Sequence, residues 1–235
     1  ENAARMAIAD LQGIQIDLKV YNTAANAQTA AAAPTQAEDD GARIILGPLY
    51  AEAANAAGVA AAKRNVNVLA FSNNTAIAGG NVFILGATYD NTARRLASYA
   101  AGQGKGNMLV VSSNDASGQA GRNAIQNAAT ATAANVVGNV SYELSQQDVI
   151  NSIPTIRDSA ASNGATSVFM TATTAGALPL LTQLLPEAGL DPATTQYIGL
   201  TRWDIPAQTL ALPGVQGGWF ALPDPAKTQQ SNSRY

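Results

Sequence analysis

The residues best suited to chemistry in this chain are short runs of hydroxyl, amide and carboxylate side chains. Each follows an apolar run: Ser72-Asn73-Asn74-Thr75, Ser113-Asn114-Asp115, Thr173-Thr174 and Thr201-Arg202-Trp203-Asp204. Such groups give and take hydrogen bonds. The chain has no cysteine and no histidine, which excludes thiol chemistry, disulfides, the common zinc constellations and the usual general base near neutral pH. Glu52, Asp115 and Asp204 are scattered, and no base stands beside a nucleophile. The trio Glu38-Asp39-Asp40 precedes Gly41 at a predicted helix end and reads as a solvated face. Gly102-Gln103-Gly104-Lys105-Gly106 follows a helix, the wrong context for a phosphate loop, and no Gly-x-Gly-x-x-Gly follows a strand. The residue types point to binding rather than catalysis, with no cofactor and no metal.

The elements that must position these runs alternate. Arg43-Ile44-Ile45-Leu46 is a short strand stopped by Gly47-Pro48. Ala51 to Arg64 is an alanine-rich helix, and Val66 to Phe71 is a strand ending at Ser72. Strand, helix, strand is a right-handed βαβ unit, whose carboxyl edge is where ligands sit. Before it come a helix from Ala3 to Leu11, an alternating strand from Ile14 to Tyr21, and a helix predicted to begin at Pro34 or shortly before it and to close at Gly41. After it, strands are predicted at 82–87, 108–112, 136–144, 167–171, 196–200 and 217–222. Helices are predicted at 89–101, 119–134, 149–163 and 177–188, the third interrupted by Pro154. Lys227 to Tyr235 reads as a polar tail.

Regular alternation means parallel sheets covered on both faces. The pattern repeats before and after Gly102–Gly106, which suggests two lobes with a cleft between them. The 235 residues are 47% hydrophobic and 12% charged, as suits a packed globular protein. No apolar run approaches the ~18 residues of a membrane span. The net charge of -3 leaves no basic footprint for nucleic acid. Glu1 to Arg5 is not a signal peptide. The chain starts inside a helical pattern and ends in the polar tail, so both ends are expected to be truncated. Any targeting segment or lipid-anchor cysteine would be lost with the front.

Gly47-Pro48-Leu49-Tyr50-Ala51-Glu52, Val68-Leu69-Ala70-Phe71-Ser72-Asn73 and Asn81-Val82-Phe83-Ile84-Leu85-Gly86 resemble the type I periplasmic-binding fold, the leucine/isoleucine/valine-binding protein superfamily. Within it the chain looks most similar to LpoA-like activators of penicillin-binding proteins. The resemblance implies an α/β protein of two lobes, each a mostly parallel sheet with helices on both faces. Residues 1–87 plus 221–235 form the first, incomplete lobe and 88–220 the second. It further implies that the first strand and C-terminal helices of the family are missing here. The location implied is periplasmic, with outer-membrane association through a lipid anchor outside this chain.

In amino-acid receptors of this family a serine binds the ligand carboxylate, and a tyrosine and an acid lie in the second lobe. The matching positions here are Ala51, Ala116 and the Thr201–Asp204 loop, where Arg202 opposes Asp204. These departures favour a non-enzymatic regulator of peptidoglycan synthesis acting through a penicillin-binding protein. The alternative is the solute-binding component of a transporter for branched-chain amino acids or related small polar ligands, with an ABC permease as partner. The cleft residues implied are Leu49, Tyr50, Ser72, Asn73, Thr75, Thr88, Asn114, Asp115, Thr173, Thr174, Arg202 and Trp203. Each has a plainer reading. Ser72, Asn73 and Thr75 also suit an N-cap and turn. Thr173 and Thr174 suit ordinary turn chemistry. Tyr50, Tyr89 and Trp203 suit packed aromatics as well as stacking residues. Arg94-Arg95 lies on a solvated helix face.

Overall fold

The structure is a computed structural model describing residues 1–24 and 26–234. The chain divides into two compact units, residues 1–88 with 224–235, and residues 89–223. Both are built from parallel strands and helices in alternation.

In the first unit, helices α1 (Asn2–Asp10) and α2 (Ala27–Asp39) precede β1 (Ile44–Leu46), α3 (Ala51–Ala62), β2 (Asn67–Ala70) and β3 (Val82–Ile84). The sheet order is β1-β2-β3, all parallel, with Leu46 opposite Leu69 and Leu69 opposite Phe83. Side chains alternate across the strands. Val68, Ala70 and Val82 pack against Ala54 and Ala61 of α3. Ile44, Leu46 and Phe83 belong to the opposite face and are exposed.

Two expectations for this unit change. The alternating segment 14–21 forms no strand, and Ile14 is 64% exposed. Alternation supplies a face, but a strand also needs a ladder partner. This segment is instead tied to the end of α2, where Asp40 accepts from Lys19 Nζ at 3.0 Å through its carbonyl and from the Tyr21 hydroxyl at 2.5 Å through its carboxylate. Helix α2 begins at Ala27, well before Pro34. The Asn26 side chain accepts from the N–H groups of Gln28 (2.8 Å) and Thr29 (3.2 Å). Proline inside a helix costs about 3 kcal/mol, and here the cap, the alanine run and burial of Pro34 outweigh it.

The second unit comprises α4 (Tyr89–Gly102), β4 (Asn107–Ser113), α5 (Ala116–Thr130), β5 (Asn135–Tyr142), α6 (Gln146–Ser162), β6 (Ser167–Met170), α7 (Leu178–Glu187), β7 (Gln196–Gly199) and β8 (Trp219–Phe220). The parallel sheet runs β5-β4-β6-β7-β8. Both faces are covered, and β4 shows how. Met108 and Val110 join a core with α4 and α5, while Leu109 and Val111 join one with α6 and α7. Such strands read as continuous apolar runs. Helix α6 starts at Gln146, behind its Ser145 cap and three residues earlier than expected, and carries Pro154 without a break. Strand β8 pairs with β7, so the second unit extends to Pro223. Residues 225–234, expected as a polar tail, form helix α8.

Candidate functional site

In parallel α/β sheets the strand ends and helix starts gather at one edge. In the first unit that edge carries Leu49 and Tyr50 after β1, and Ser72, Asn73 and Thr75 after β2. Gly47 N donates to Leu69 O at 2.8 Å, and Phe71 N to Pro48 O at 3.0 Å, which ties the two loops together. The Gly47-Pro48 peptide is cis. Tyr50 occupies the N-cap of α3 without a side-chain cap and is 58% exposed. Ser72 is buried, and its Oγ accepts from Asn74 N at 3.1 Å. Asn74 in turn caps the short turn at Thr75 by accepting from Ala76 N at 3.0 Å. Gly86 is required beside Ser72, because a Cβ there would collide with the Phe71 and Ser72 carbonyls. Asn73 and Thr75 remain exposed, and Thr88 is buried at the end of this unit.

In the second unit the edge gathers four loops. After β4, Asp115 caps α5: its carboxylate accepts from Gly118 N (3.2 Å), Ser117 N (3.3 Å) and the Ser113 hydroxyl. The Ser113 bond above all holds this carboxyl below its ordinary range. The predicted loop 113–118 is therefore half helix, and the signal that shows it is Asp before a helical run. Gly118 lets α5 approach so closely that a Cβ would strike the Ser113 carbonyl. Asn114 Nδ2 donates to Glu143 Oε1 at 2.7 Å across to the loop after β5. Burial, aided by the Asp115 charge, pushes Tyr142 up to about 12.

After β6 come Thr173 and Thr174, and after β7 come Arg202, Trp203 and Asp204. The Thr201 hydroxyl donates to Ala172 O at 3.0 Å and the Thr174 hydroxyl to Ile205 O at 2.6 Å, so the two loops are stitched together. Thr173 O accepts the N–H groups of Gly176 (3.0 Å) and Leu178 (3.3 Å). Arg202 grips Asp204 with two prongs, Nε to Oδ1 at 2.9 Å and Nη2 to Oδ2 at 2.5 Å. This hydrogen-bonded contact holds Asp204 below its ordinary range.

The expectation of Trp203 as a stacking residue is corrected. It is 0% exposed, sits in the core with Phe220 at a ring separation of 6.1 Å, and has an indole N–H without a hydrogen-bond partner. Apolar burial of a large ring outweighs what its one polar atom gains at the surface. Sequence reasoning passed over two groups at this edge, Glu143 and Ile205, the latter 59% exposed. Each lies within three residues of a predicted strand end or polar run, which is the signal that locates them.

A hollow of about 390 Å³ lies beside this edge, between the starts of α6 and α7. Its walls include Leu144, Val149, Pro179 and Leu180, and no predicted site residue. Among the described residues no cluster of carboxylates suits a metal, and no helix is long and apolar enough to cross a membrane.

Three solved structures illustrate the likeness. A putative branched-chain amino acid ABC transporter protein from Rhodospirillum rubrum superposes with a TM-score of 0.73 at 16% identity, over 99% of this chain and 68% of its own. The periplasmic ligand-binding protein of a branched-chain amino acid ABC transporter from Burkholderia xenovorans gives 0.63 at 18%, over 85% and 55%. An ABC transporter substrate-binding protein from Desulfitobacterium hafniense in complex with Leu gives 0.59 at 20%, over 88% and 62%. Identities this low carry the fold alone. The chain spans about 55–68% of the length of these structures. No curated protein sequence matches it. The expected closeness to the LpoA-like branch gains no support from these likenesses. The model of one family, described as periplasmic binding protein, matches residues 1–235, and to that family the chain belongs.

Proposed function

We propose that the chain is the solute-binding component of an ABC importer, acting in the periplasm on a small polar ligand and handing it to a membrane permease. The observation that carries this reading is the carboxyl edge of the five-stranded sheet. There Asn114, Thr173, Thr174 and Arg202 place amide, hydroxyl and guanidinium groups on loops that hydrogen bonds hold together. Directional donors and acceptors on a rigid scaffold suit recognition. No nucleophile with an adjacent base stands among them, so the reading is non-catalytic. Support comes also from the family and from neighbours named as transporter substrate-binding proteins, one of them in complex with leucine.

Calorimetric titration of the chain with amino acids, short peptides, sugars and small carboxylates tests the reading. Saturable micromolar binding of at least one solute is expected. Absence of binding across all four classes overturns it.

A further inference from the structure

Asn163 is the only asparagine of the chain that is followed by glycine. The pair closes helix α6, with Asn163 as its C-cap and Gly164 just beyond. Ala165 N donates to Ala160 O at 2.9 Å and Gly164 N to Ala161 O at 3.3 Å. These are the two bonds of a Schellman closure, and Gly164 has the left-handed φ of +62° that it requires. The Asn163 side chain adds a third tie, its Nδ2 donating to Ser159 O at 2.8 Å. Both residues are exposed to water.

The same dipeptide carries a reaction of its own. Gly164 N, after giving its proton to hydroxide, attacks Asn163 Cγ. A five-membered imide forms, the Cγ–Nδ2 bond breaks, and Nδ2 leaves as ammonia with a proton from water. Water then opens the imide. Addition at Cγ gives aspartate. Addition at the Asn163 backbone carbonyl gives isoaspartate, whose main chain runs through Cβ and Cγ. Glycine favours the attack, because it has no Cβ to crowd its nitrogen and its backbone turns freely.

The closed end of α6 opposes that attack twice. Ala161 O holds the Gly164 N–H. Asn163 has a ψ of 3°, which keeps Gly164 N turned away from Cβ. Ring closure needs roughly a third of a turn about that bond, one of the two soft torsions of the residue. The last turn of α6 must therefore open before the ring can form. Neither product rebuilds what was lost. Each puts a carboxylate where an amide donated to Ser159 O, and an anion is disfavoured at the negative end of a helix. Isoaspartate also lengthens the main chain, so the Schellman bonds lose their register. We infer that Asn163 is a site of spontaneous deamidation, gated by the closure of α6, and that its conversion weakens the end of that helix. The inference is independent of the solute-binding reading.

The test incubates the 235-residue chain at pH 9, folded in buffer and unfolded in guanidinium chloride. Trypsin then releases residues 158–202, in which Asn163 is the only asparagine. Mass spectrometry of the unfolded chain is expected to show a gain of one mass unit there, faster than in any other asparagine-containing peptide. The folded chain is expected to gain it ten-fold or more slowly. Asn163→Gln, whose longer side chain would have to close a six-membered ring, is expected to abolish the gain. Asn163→Asp, checked for its fold by circular dichroism, is expected to lower the urea midpoint. Absence of the gain in the unfolded chain, or its persistence in Asn163→Gln, overturns the site. Equal rates in the folded and unfolded chains overturn the gate. An Asn163→Asp protein as stable as the parent overturns the weakening of α6.

Discussion

Trp203 lies directly over Gly199, so that a Cβ on Gly199 would fall inside the contact distance of three indole ring atoms. Gly218 makes a second concession to the same ring, its hypothetical Cβ lying 2.5 Å from Cζ3. A glycine at the end of β7 and one just before β8 thus make the space that buries the largest fully buried side chain of the second unit. Overpacking a filled core costs about 1–3 kcal/mol. Gly199→Ala should lower the urea midpoint accordingly, and Trp203→Ala should cost about 3–5 kcal/mol through the cavity it leaves. A Gly199→Ala protein as stable as the parent would show that the ring is free to move aside.

Asp115 gives a prediction with a pH signature. Its folded-state pKa is lowered, so its contribution is full above the ordinary value of about 3.9 and is lost as pH falls through the lowered one. At pH 7, Asp115→Ala should cost about 1 kcal/mol, the usual worth of an N-cap. That gap should narrow as pH is taken below about 4. Asp115→Asn, which caps equally well without a charge, should match the parent at pH 7 and lack the acid-linked decline. A gap independent of pH down to 2 would contradict the ionised cap.

Asn81 joins two elements of the first unit, its Nδ2 donating to Gly58 O at 3.0 Å and to Val66 O at 2.8 Å. Removing a partly buried double donor leaves carbonyls short of partners, at about 1–3 kcal/mol. Asn81→Ala should speed amide hydrogen exchange across β2 and β3 while leaving the strands of the second unit unaffected. Equal acceleration in both units would count against a local role.

The sequence and the structure agree where burial is two-sided. The runs at 108–111 and 168–170 are apolar throughout because helices cover both faces. Residues 14–21 mislead for the opposite reason, since alternation predicts a face but says nothing about a partner strand. Pro34 reads as a helix start and Pro154 as an interruption, whereas both prolines lie inside helices whose starts are set by the caps at Asn26 and Ser145. The polar edge was legible as runs after strands. Legibility stopped at side-chain direction: nothing in Thr201-Arg202-Trp203-Asp204 states that Arg202 turns to Asp204 while Trp203 turns inward. That choice belongs to Gly199 and Gly218, which lie four residues before and fifteen after the tryptophan.

The central claim is that the carboxyl edge of the five-stranded sheet holds a small solute. Amide hydrogen exchange with and without a saturating solute from the titration panel tests it most directly, since binding to the folded state slows local opening. Slower exchange is predicted at 113–118, 171–176 and 200–206, with no change at the opposite edge, 103–107, 163–167 and 191–196. Protection confined to that opposite edge, or to the hollow between α6 and α7, would contradict the account.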